Sequence, residues 1–145
     1  MRISNRLLFA AAFVLFIGVV SVMAQKKFPA VVMNPTLWEK VDVQAPDECE
    51  GTPQKCAAQM LKAVNIDAGS SPKYKVYRLG ERDERNLTIV FVTQTVKEDD
   101  SVSGIRYRLA ISLGDVEDRT FKLETLGKQY RCARGRKGWG KSLCS

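Results

Sequence analysis

Between positions 57 and 64 the apolar residues recur at helical spacing. Ala57, Met60, Leu61 and Val64 fall on one face at intervals of three and four, with Gln54, Lys55, Gln59 and Lys62 on the other, which predicts a short amphipathic helix. Thr52 is placed to cap it, and Pro53 suits the first helical position, where an amide has no intrahelical partner to lose. The polar run 65–72, rich in Asn, Asp, Gly and Ser, ends it.

After that the period falls from helical to alternating. Residues 74–79 predict one strand, and 87–93, LTIVFVT, a second whose β-branched content suits a central position. The clearest alternation follows. Ile105, Tyr107, Leu109, Ile111 and Leu113 point one way and Arg106, Arg108, Ala110 and Ser112 the other, which predicts one buried face and one wet face. Phe121 and Leu123 continue the core face on a fourth strand, whereas Tyr130 and Cys132 fall on the opposite phase, as a bulge at Gly127 would produce. Residues 80–86 form a charged turn, and 97–104 and 114–118 are polar connections of hairpin type.

Ahead of the helix, prolines at 29, 35 and 46 oppose a long helix and make residues 25–47 an extended lead-in that lays Leu37 and Trp38 on the domain edge, Trp38 as a packing residue. The elements together predict an α+β domain over 48–145: one amphipathic helix packed on a curled four-stranded antiparallel meander. The ending, with Tyr130-Arg131-Cys132, then Trp139, then Leu143-Cys144, resembles that of small secreted bacterial proteins with a cystatin-like or nuclear-transport-factor-like roll. The resemblance spans about 49–144; it implies the roll and no activity, since fold alone does not carry function. The Gln-x-Val-x-Gly hairpin of cystatin inhibitors does not occur in this chain, so protease inhibition is not implied.

Residues 1–24 stand apart. Arg2 and Arg6 make a basic start, 7–23 is an uncharged apolar run, and Val22-Met23-Ala24 offers small residues at a processing site, the three parts of an export signal cleaved before Gln25. The alternative is a membrane anchor formed by residues 7–23, a stretch a little short of the roughly 20 residues of a spanning helix. Export implies a periplasmic or secreted protein. At 145 residues, 45% of them hydrophobic and 27% charged, the chain suits one small globular domain. Removing Arg2 and Arg6 takes the net charge from +7 to +5, and a basic protein outside the cytoplasm meets anionic lipid, acidic polysaccharide and cell-wall polymer.

Four cysteines in an exported domain allow three pairings. Closeness in sequence favours Cys49 with Cys56 and Cys132 with Cys144, each pair flanking one structural unit. Neither has the spacing of a metal-binding pair, and the chain contains no histidine, the commonest general base and metal ligand. No catalytic constellation, metal site or cofactor is therefore expected. The acid pairs Asp83-Glu84, Asp99-Asp100 and Glu117-Asp118 lie in turns, and 98–101 lacks the spaced ligands of a calcium loop. Residues 135–142, GRKGWGKS, fit the pattern of a phosphate-binding loop. That loop works between a strand and a helix whose amides face the phosphates, but only Leu143, Cys144 and Ser145 follow here, so context argues against nucleotide binding.

What remains is a charged surface. From position 128 onward the chain carries Lys128, Arg131, Arg134, Arg136, Lys137 and Lys141 and no acid, with Tyr130 and Trp139 interleaved. The expected function is a non-enzymatic binding or scaffold module that presents this loop, with Trp139, to an anionic partner. The alternative is a small-ligand or enzymatic pocket in the concave face of the curled sheet, which inward-facing Tyr107 or Tyr77 would mark.

Overall fold

The computed structural model describes residues 28–44, 48–79, 86–97, 99–114 and 120–145. The export segment, the acid pairs at 83–84 and 117–118, and Glu98 lie outside the described residues. The expected α+β arrangement of a helix on four strands is overturned. Among the described residues the chain builds a seven-stranded antiparallel sheet, and a single helix exceeds one turn. The main path runs through β3 (Lys73–Arg78), β4 (Leu87–Thr95), β5 (Val102–Leu113) and β6 (Thr120–Cys132), the four strands legible in the sequence. The other three are two-residue strands with too little pattern to read: β1 (Glu39–Lys40), β2 (Cys49–Glu50) and β7 (Trp139–Gly140).

All three short strands pair with β6 on its side away from β5. Glu50 and Cys49 oppose Thr120 and Phe121, Lys40 and Glu39 oppose Gly127 and Lys128, and Gly140 and Trp139 oppose Tyr130 and Arg131. A 13-residue strand left open there would offer its amides and carbonyls to any passing strand; the short strands close that edge toward its two ends, at 120–121 and at 127–131. The opposite edge, β3, carries exposed Lys73, Lys75 and Arg78, charges that discourage edge pairing.

Helix α2 (Pro53–Ala63) forms as its sequence dictates: the Thr52 hydroxyl accepts from the Lys55 amide at 3.3 Å, and Pro53 opens the first turn. Asn65, with φ of 57°, ends it, and the amides of Asn65 and Ile66 donate to the carbonyls of Lys62 and Leu61. This closure satisfies two terminal carbonyls and returns Ile66 to the core. Cys56, Ala57, Met60 and Leu61 pack on Val90, Val92, Tyr107, Leu109 and Ile111. The Cys49–Cys56 disulfide, with Cα atoms 5.5 Å apart, ties β2 to the helix.

The sheet face expected to be wet is covered. Residues 28–38, expected as an extended lead-in, form helix α1 (Ala30–Met33) and a 3₁₀ turn (Pro35–Leu37) that lie across it as a strap. Val32 and Trp38 bury against Ile89, Phe91 and Ala110 in a second core. Arg108 and Gln129 survive burial because each meets a strap carbonyl. Arg108 Nε and Nη2 donate to Val32 O at 3.1 and 2.9 Å, and Gln129 Nε2 donates to Leu37 O at 2.7 Å. Burial still pushes the Arg108 guanidinium below its ordinary pKa.

The phase change on β6 also has a different origin from the one expected. Ala110 opposes Thr125 while Ile111 opposes Leu123, so the extra residue is Glu124, not Gly127. Ser112 Oγ donates to the Glu124 carboxylate at 2.6 Å. Gly127 stays in register opposite Arg108, and its lack of a side chain lets Trp38 lie against the strand: a Cβ there would stand 2.7 Å from Trp38 Cβ.

Candidate functional site: the cysteine-closed basic loop

The Cys132–Cys144 disulfide, with Cα atoms 5.4 Å apart, closes the segment that follows β6. Within it Gly135 and Gly138 adopt positive φ of 75° and 79°, which turns the chain back so that Trp139 and Gly140 pair with Arg131 and Tyr130. The GRKGWGKS segment is thus a hairpin returning to the sheet, and no helix follows it within residues 141–145. Its amides do not form the helix-terminal cradle that phosphate binding by this pattern needs.

The expected site residues separate into four groups. Arg134, Lys137 and Lys141 are exposed and make no ion pair among the described residues. Arg136 is inward-working: its Nη2 donates to Ser142 O at 2.9 Å and Tyr130 O at 3.4 Å, and its guanidinium lies so close over Gly140 that an added Cβ would meet it at 2.6 Å. Arg136 braces the loop. Lys128 points to the helix side of the sheet, where its Nζ pairs with Glu39 at 3.4 Å and lies over Tyr130. Hydrogen bonding to Tyr130 first, and Glu39 further, holds its pKa above the usual lysine range.

Arg131 and Trp139 sit on the strap side, where Arg106, Trp38 and Phe91 join them. The Arg106 guanidinium carbon lies 4.7 Å from the Trp139 ring centre, 5.0 Å from Trp38 and 5.6 Å from Phe91, while that of Arg131 lies 5.5 Å from Trp139. Arg106 Nε and Nη2 donate to Gln129 Oε1 at 2.8 and 2.5 Å. Burial pushes the Arg106 pKa down to about 10, so it remains charged at neutral pH. Its place in an alternating strand concealed it: the odd positions read as core, and Arg106 read as solvated.

The turn carboxylate at Asp99 accepts from the amides of Val102 and Ser101 at 2.8 and 2.6 Å, which hold its pKa below the usual value. Among the described residues no group of three or more acids and cysteines is arranged to hold a metal. Tyr107 is buried in the helix-side core, where burial raises its pKa. Tyr77 packs edge-on against Phe91 with ring centres 5.2 Å apart. It also lines a depression of about 580 Å³ with Phe28, Lys75, Val76 and Arg78. Val76 and Tyr77 are consecutive in β3 and face opposite sides, so this depression follows the outer edge of the sheet and does not enter a concavity. Two smaller depressions, of about 210 and 270 Å³, flank the strap junction at Lys40 and Leu126.

The two disulfides belong to an oxidising environment outside the reducing cytosol. No helix among the described residues is long and apolar enough to cross a membrane. No protein-family model, curated protein or solved structure matches the chain.

Proposed function

We propose that the protein is exported, to the periplasm or beyond the cell, and acts there as a non-enzymatic module that binds an anionic partner through its cysteine-closed C-terminal loop. The observation that carries this reading is the exposure of Arg134, Lys137 and Lys141 on a loop that is held by Cys132–Cys144, braced by Arg136 and free of acids from position 128 on. Fixed cations concentrate positive potential more effectively than a flexible tail, because little side-chain and backbone freedom is lost on binding. Anionic lipid, acidic polysaccharide and cell-wall polymer are the partner classes such an address supplies. The basic start at Arg2 and Arg6, the apolar run and Ala24 support export with cleavage before Gln25.

The test replaces Arg134, Lys137 and Lys141 together with Gln and leaves Arg136 in place, since its removal would disturb the loop itself. Retention on acidic polysaccharide or anionic vesicles is expected to fall with an unchanged melting temperature. Equal retention by the variant and the native protein, or no retention of the native protein at low salt, would overturn the proposal. N-terminal sequencing of protein recovered outside the cytoplasm is expected to begin at Gln25; membrane-bound material starting at Met1 would establish the anchor instead.

A further inference from the structure

Arg106 and Arg131 occupy diagonal positions on one face of neighbouring strands, Arg106 opposite Gln129 and Arg131 opposite Gly104. Both guanidinium groups lie against Trp139. The ring reaches this position because β7 fixes Trp139 opposite Arg131 and because Gly104 leaves room beneath it: a Cβ at 104 would stand 3.3 Å from the indole and 3.2 Å from the Gln94 carbonyl. Trp139 is half-buried against the sheet and does not project from the loop.

The electrostatics of this cluster are incomplete. Among the described residues Arg106 donates to the neutral amide oxygen of Gln129, and Arg131 to the hydroxyl and carbonyl of Ser103. Neither has a carboxylate partner among the described residues. Two like charges thus share one indole, and aromatic surface on Trp38 and Phe91 removes part of the water that would screen Arg106. An anion reaching both would relieve their repulsion and gain charge-assisted hydrogen bonds.

We infer that Arg106, Arg131 and Trp139 form a carboxylate-recognition subsite for an acidic saccharide, with the indole as a platform for the apolar face of a sugar ring and the two guanidinium groups directed to its carboxylates. This rests on the anionic-partner reading and names the partner class within it. A saccharide suits the geometry better than a lipid surface. A tryptophan that enters a membrane interface must project, whereas Trp139 is seated on the sheet, and Leu143 is the one large apolar side chain exposed in the loop.

The experiment is calorimetric titration of the mature chain with an oligogalacturonate, its methyl ester as the uncharged control, and phosphatidylglycerol vesicles in a separate arm. The oligogalacturonate is expected to bind, the ester to fail, and Arg131→Gln to weaken binding by about tenfold, as loss of a hydrogen bond to a charged group does. Arg131→Lys, which keeps the charge and loses the fork, is expected to weaken it too; a merely diffuse charge effect would leave that variant unchanged. Arg131 is exposed, so its variants fold even if Arg106→Gln does not. If binding survives both Arg131 variants and is lost in the Arg134, Lys137 and Lys141 triple variant, the subsite is wrong and the loop reading stands. Binding to vesicles alone also overturns the subsite and leaves the loop reading. Binding to neither probe overturns both.

Discussion

Placing a methyl group at Gly127 tests whether residues 28–38 are part of the fold or a detachable lead-in. In Gly127→Ala the new Cβ falls 2.7 Å from Trp38 Cβ and 3.4 Å from its Cγ, where carbon atoms prefer about 3.5–4.0 Å. Trp38 has little freedom to yield. It is 5% exposed, its Nε1 donates to Val31 O at 2.9 Å, and its ring lies 5.0 Å from Phe91. Moving the strap by the needed fraction of an ångström has the cost of overpacking, about 1–3 kcal/mol. Replacing a strand glycine by alanine returns about 0.5–1 kcal/mol of backbone entropy, which leaves a net loss on the order of 1–2 kcal/mol. In a domain of this size that lowers the melting temperature by about 4–8 °C per kcal/mol. The assay is thermal unfolding, joined to fluorescence in a Trp139→Phe background so that emission reports Trp38 alone. A red shift at a lowered melting temperature is expected. A melting temperature within about 1 °C of the parent, with unshifted emission, would show that the strap does not press on Gly127.

Replacing Cys132 and Cys144 together by Ser opens a link of sequence separation 12, and the stability lost in urea unfolding is expected to be about 3 kcal/mol from chain entropy; peptide mapping without reduction should recover Cys49 with Cys56 and Cys132 with Cys144, and a link between Cys56 and Cys132 would contradict the fold. Asp99→Ala is expected to lower the melting temperature at neutral pH, because the Val102 and Ser101 amides favour the charged carboxylate and depress its pKa below 3.8. A depressed carboxylate stabilises the fold above its unfolded pKa and loses that effect as pH falls through the folded one, so the two melting curves should converge only below pH 3.8.

How far the sequence carried this fold depended on whether a residue's neighbours lay close in the chain. Helix α2 was legible from Thr52, Pro53 and the spacing of Ala57, Met60 and Leu61, all local signals. The strand pattern of β5 was legible too, but the environment of Arg106 and Arg108 was not: alternation says which residues share a face and not what covers it. One clue was present in β4, where Ile89 and Phe91 are as apolar as Val90 and Val92 between them. A strand apolar on both parities is buried on both faces, which calls for a cover on the second one. The partners of β6 on its side away from β5 could not be read, because two-residue strands have no period. In the loop, the cysteines, Trp139 and the basic residues stood out, yet their division did not: Arg136 as a brace, Lys128 on the far face and Arg106 beside Trp139 all follow from pairings across β5, β6 and β7.

The most direct measurement of the central claim is amide chemical-shift mapping of the mature protein during titration with a short polyanionic oligosaccharide at low salt. The amides of residues 131–144 and of Arg106 are expected to shift together, those of the strap and of α2 to hold still, and the shifts to reverse as salt shortens the Debye length toward about 3 Å at 1 M. Shifts centred on the basic edge strand Lys73–Arg78, or none at saturating ligand, would contradict it.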